Sequence, residues 1–130
     1  MGKRPTRCRA LELELRRRFY LHKPKAFKVR SGWTIGTPVH AFTKRKQDIN
    51  ASANLKLIFE LVAPQYRRAL AKQLWRLKTV HKTRNRLAHS NPLSKAEAVQ
   101  LRTLILGSRQ QPGILCWLAE HVQPAPAPGT

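Results

Sequence analysis

Apolar residues recur along this chain mostly at helical spacing. Between Thr6 and Leu21, Cys8, Leu11, Leu15 and Phe19 stand three or four residues apart, which predicts a first helix, although LELEL inside it also alternates as a strand would. From Lys23 to Gln47 the pattern lapses, and Pro24, Gly32, Gly36 and Pro38 break it up. This stretch reads as a long basic loop, and AFKVRSGWTIG allows a short β-hairpin around Ser31-Gly32. Asp48 then offers an N-cap for a second helix to about Val62, whose LKLIFELV is apolar nearly all round. Pro64 suits the first turn of a third helix reaching roughly His89, closed by Ser90, Asn91 and Pro92. Ser94 with Glu97 forms a capping box for a fourth helix ending at Leu106 before Gly107, and PGILCWLAEHV makes a short fifth.

The expected fold is therefore all-α: a four- to five-helix bundle with the basic loop, or hairpin, after the first helix. It forms one domain over residues 1–122 with its core in about 48–106, and QPAPAPGT, residues 123–130, is expected as a disordered tail.

Charge changes the picture from fold to partner. Against 26 Lys and Arg stand 6 Asp and Glu, a formal charge of +20. A 42% hydrophobic share is enough for a folded core, and a compact body this cationic calls for a polyanion, nucleic acid before anything else. Cys8 and Cys116 lie far apart without the paired spacing of a metal knuckle, so neither a metal site, a cofactor nor a disulfide framework is expected. No apolar run approaches a membrane span, and LELELRRRF is not the core of a signal peptide, so no membrane partner and a cytoplasmic location are expected. The six acids are scattered and offer no close hydrolytic pair beyond Glu12 and Glu14 on the first segment, and no glycine-rich phosphate loop is present.

Two stretches concentrate the cations. The loop mixes Phe27, Trp33 and Phe42 with Lys25, Lys28, Arg30, Lys44, Arg45 and Lys46. Such aromatics either stack bases beside phosphate contacts or pin the loop to the core. On the third helix, with Leu77 at zero and roughly 100° per residue, Tyr66, Leu70, Leu74 and Ala88 share one face. Arg68, Lys72, Arg76, Lys78, Lys82 and Arg86 lie roughly 100° or more away, as an outer face. Arg84 and His81 fall on the inner one. A guanidinium on an apolar seam needs a carboxylate, Glu60 or Glu97, or a cleft that substrate enters. His89, at the end of the same helix, is either a plain cap or a proton donor whose pKa the helix dipole raises.

Arg84-Asn85-Arg86-Leu87-Ala88-His89 reads R-N-x-x-A-H. With its small-residue-then-His ending, the proline that follows and the capped helix after it, this segment resembles the HEPN superfamily of small helical ribonucleases and toxins, in particular its abortive-infection-like members. The resemblance covers about residues 48–106. It implies metal-independent RNA cleavage, in which a 2′-OH attacks the neighbouring phosphate, His89 does acid–base work, Arg84 stabilises phosphoryl charge and Asn85 orients the imidazole or the phosphate. The 2′-OH requirement would confine cleavage to RNA. Arg84 and His89 stand about 140° apart on an ideal helix, and family members meet this by dimerising, so the resemblance implies a homodimer, or assembly into a larger complex with a partner carrying another such site; toxins of the family usually come with an antitoxin.

The sequence thus leads to an RNA-acting, HEPN-like endoribonuclease using Arg84, His89 and Asn85. The alternative is a non-catalytic RNA-binding subunit of a ribonucleoprotein. In both, Lys25, Lys28, Arg30, Trp33, Lys44, Arg45, Lys46, Arg68, Lys72, Arg76, Lys82 and Arg86 hold the nucleic acid. DNA is the less favoured polyanion, because the third and fourth helices are joined through SNPLS rather than a tight helix-turn-helix turn.

Overall fold

The four-residue spacing of Leu11, Leu15 and Phe19 prevails over the alternation of LELEL, because a helix buries all three on one side while Glu14 reaches Arg17 and Arg18 three and four residues on. In the computed structural model, which describes residues 6–88 and 92–126, helix α1 is Thr6–Arg18, followed by a 3-10 turn at Tyr20–His22. Five further helices are α2 (Gly36–Thr43), α3 (Ile49–Phe59), α4 (Arg67–Ala88), α5 (Lys95–Leu106) and α6 (Ile114–His121). The chain is all-α as expected, with six helices among the described residues rather than four or five. No helix among the described residues is long and apolar enough to cross a membrane.

The sixth helix is α2, inside the stretch read as loop or hairpin. At the expected hairpin turn the chain only bends, at Arg30 and Ser31, with Gly32 at φ 95°, and no strand flanks the bend among the described residues. Pro38 sits in the first turn of α2, where a missing N–H breaks no helical bond. Gly36 brings the backbone close to α4: a Cβ there would lie 2.8 Å from Nε2 of His81, so the imidazole would have to shift to admit a side chain. Val39, Ala41 and Phe42 then go inward, and α2 packs against α3 and α4.

The helix-end signals behave as expected. Asp48 accepts hydrogen bonds from the N–H groups of Asn50 and Ala51 at the start of α3, though α3 stops at Phe59 rather than Val62. Pro64 opens a 3-10 turn, Pro64–Tyr66, that leads into α4. Ser94 and Glu97 make the reciprocal capping box of α5, and Gly107 ends it at φ 91°.

One core runs through the molecule: α1 packs on α5 and α6, α4 on α2, α5 and α6, and the buried residues form a single cluster from Cys8 to Val122. Arg18 is buried there, its guanidinium donating to Glu14 and to the carbonyls of Leu118 and Val122, which fastens α1 to the end of α6. Beyond α6 the chain continues along α1 rather than leaving it. Gln123 O lies 2.8 Å from the His22 ring nitrogen and Ala125 N–H donates to Arg17 O, so residues 123–126 differ from the expected disordered tail.

Candidate nucleic-acid interface

Helix α4 sorts its residues as the helical wheel predicts. Leu70, Leu74, Leu77 and Val80 are buried; Arg68, Lys72 and Lys82 are exposed. Tyr66 is the exception on the inner side, half out of the core at the edge of the bundle against the His121 ring. Two of the outer cations have internal duties instead of open ones. Arg76 donates to Gln73 Oε1 at 3.1 Å and to Pro112 O at 3.0 Å, tying α4 to the α5–α6 connection. Arg86 is ion-paired with Glu97 of α5.

The segment before α3 separates its aromatics from its cations. Phe27, Trp33 and Phe42 are all buried; Trp33, 7% exposed, meets Phe19, Tyr20 and Phe27 with ring centroids 5.5–6.4 Å apart. Of the two roles open to these rings, the structure gives them the core, so Trp33 is not available to a base. Lys25, Lys28 and Arg30 remain on the surface, as do Lys44, Arg45 and Lys46 in the turn between α2 and α3. Lys28 and Arg30 border a groove of about 570 Å³ whose other wall is His40, Asp48, Asn50 and Asn54. Buried Asn54 fixes that edge by accepting from Lys28 N–H at 2.8 Å and donating to Lys28 O at 3.1 Å.

Arg84 does turn inward, and its side chain is 19% exposed. Its partner is neither Glu60 nor Glu97 but Glu12 of α1, at 3.5 Å, a carboxylate only 8% exposed. The same carboxylate accepts from Ile35 N–H at 3.1 Å and from Arg9 at 3.3 Å. Glu12 thus joins α1, the start of α2 and α4 through one side chain. Next to the pair lie His81, whose pKa is lowered by burial and by the Arg84 charge, and Cys8, whose thiol burial pushes up. A neutral His81 accepts from the exposed Asn85 amide, Nδ2 to Nε2 3.3 Å.

Comparison with family models, curated proteins and solved structures finds no match.

The site must accordingly be judged on its own atoms. His89 lies outside the described residues, so of the three expected to carry chemistry only Arg84 and Asn85 are placed. Asn85 is held by His81, and Arg84 has a carboxylate that answers the physical question its inward position raised. Sequence reasoning did not single out Glu12 as the partner, because within LELEL the two glutamates are placed symmetrically about Leu11 and Leu15; the longer stripe separates them, since with Cys8 and Phe19 included its centre lies roughly 55° from Glu12 and roughly 105° from Glu14. It also passed over Trp75, which is 56% exposed although it stands among the outer cations, roughly 160° from Leu77 on the wheel.

Proposed function

We propose that this protein is an RNA-binding module that grips the sugar–phosphate backbone with Arg68, Lys72 and Lys82 of α4 and with the exposed Lys25, Lys28, Arg30, Lys44 and Lys46. One observation carries the reading: the surplus of positive charge is spread over outer faces, while four of the six acids are turned to other tasks. Glu12 and Glu14 hold arginines of the bundle, Asp48 caps α3 and meets His40, and Glu97 caps α5 and meets Arg86. Cations without internal partners on a rigid helical frame release counterions when they meet phosphates, and binding then depends steeply on salt.

Anisotropy titrations of a labelled RNA strand across a salt series test this. The logarithm of the affinity should fall linearly with the logarithm of salt concentration, and Lys72→Ala or Lys82→Ala should each flatten the slope by about 0.7. Salt-independent binding, or none at low salt, would dispose of the reading.

A second reading, cleavage, is favoured by the R-N-x-x-A-H sequence, whose Arg84–Ala88 part closes α4 with Arg84 on the inner side. In it Arg84 exchanges Glu12 for a phosphate, and a second copy of the chain or another partner completes the site. Incubation with mixed RNA in EDTA separates the two. Cleavage lost in both Arg84→Ala and His89→Ala supports an endoribonuclease; tight binding of intact RNA supports the module.

A further inference from the structure

Trp75 is an indole in the wrong company for a core residue. Its neighbours on the outer face of α4 are Lys72 and Lys78, one turn away on either side, and Lys82, two turns on, and the Lys78 ammonium stands 4.9 Å from its ring centre. The ring is also held from below: buried Phe42 meets it at 84° with centroids 5.7 Å apart. Arg45 lies over Phe42, 4.6 Å from that ring, and donates to the Phe42 carbonyl. The cations of the α2–α3 turn and those of α4 therefore converge on one exposed, oriented aromatic.

We propose that this face takes single-stranded RNA, with an unpaired base stacked on Trp75 and the flanking phosphates on Lys72, Lys78, Lys82 and the turn of Lys44–Lys46. The inference rests on the RNA-binding reading and adds to it a strand state and a stacking residue. Three physical reasons lead to it. An aromatic platform inside a cationic track is what binds unpaired bases irrespective of sequence, since every base has a π-face. Phe42 positions the ring in advance, so little side-chain freedom is lost on binding. The face from Arg68 to Lys82 contains no acid, which disfavours an ordinary mixed-charge protein surface as occupant. On binding, Lys78 leaves the indole for a phosphate, trading an exposed cation–π contact for a charge-assisted one. A duplex keeps its bases stacked internally and presents only backbone to Trp75.

The three tryptophans make the test direct, because Trp33 and Trp117 are only 7% and 6% exposed. The full chain is titrated with a short oligouridine and, separately, with an RNA duplex of equal length, following intrinsic tryptophan fluorescence and anisotropy. Oligouridine should quench the emission and the duplex should not. Trp75→Ala should weaken oligouridine binding by about ten-fold, leave duplex binding unchanged and abolish the quenching, and Trp75→Phe should restore most of the affinity. Thermal melts of both variants exclude unfolding as the cause. Equal affinity of wild type and Trp75→Ala for the single strand would overturn the stacking role, and continued salt-sensitive binding would show that the RNA-binding reading survives it. Failure of both RNAs to bind, with capture of oligoglutamate instead, would overturn both.

Discussion

On its inner face α4 carries Leu70, Leu74, Leu77 and Val80, and among them one guanidinium, Arg84; on its outer face it carries Arg68, Lys72 and Lys82, and among them one indole, Trp75. Each face holds a residue of the kind that belongs on the other. The inward charge is explained from within the molecule, because Glu12 meets it and Ile35 N–H and Arg9 complete that carboxylate. The outward ring is explained only in part: Phe42 orients it and Lys78 covers some of it, yet it stays largely in water. An out-of-place residue with its partners inside is holding the fold together, and one whose partners leave it exposed is where a ligand is to be sought.

The sharpest way to break this contrast is to remove the carboxylate. Glu12→Ala leaves Arg84 without its counter-charge and Ile35 N–H without its acceptor, and should cost about 3 kcal/mol of stability in urea unfolding. The double variant Glu12→Ala with Arg84→Met should lose less than the two single changes added together. A loss below about 1 kcal/mol for Glu12→Ala, typical of an exposed ion pair, would mean that Arg84 is not structurally committed, and would strengthen its claim to chemistry.

A smaller effect should appear on acidification. Burial, with the Arg84 charge, holds the His81 pKa below its ordinary value, so the unfolded chain takes up this proton before the folded one does. The stabilisation is complete above about pH 6.5 and declines as the pH falls below it. Melting temperature should therefore drop from pH 7 towards pH 5 more steeply in wild type than in His81→Gln. Glu14 and Asp48, whose pKa values are also lowered, act in the more acidic carboxylate range. Equal slopes for the two proteins in the upper window would count against a neutral His81 beside Arg84.

Least of all should stability respond to Trp75→Ala. More than half of that ring is in water, so chemical denaturation should register a change of no more than about 1 kcal/mol. A loss of about 3 kcal/mol, the size expected of a buried tryptophan, would make Trp75 an outlying part of the core and remove the contrast with Arg84.

Much of the fold was legible in the chain. Asp48, Pro64, the Ser94–Glu97 box and Gly107 mark helix ends through bonds made within a few residues of themselves, and the structure puts ends at all of them. Helix α2 was not legible, because Pro38 and Gly36 read as breakers unless their places in the first turn and against His81 are known. The candidate surface divided in the same way. The outer position of Arg68, Lys72 and Lys82 followed from a period of 3.6, whereas the ties of Arg76 to Pro112 and of Arg86 to Glu97 depend on which elements lie across from α4.

What the sequence determined alone was whatever is set by composition or by neighbours in the chain: a net charge of +20, helical periods and caps. Only the tertiary structure decided that Trp33 enters the core while Trp75 stays out, and that Glu12 rather than Glu60 or Glu97 receives Arg84. Both outcomes are set by helices meeting across long stretches of chain. A side chain's burial and its counter-charge are properties of that meeting, and local spacing fixes only the direction in which each side chain leaves its own helix.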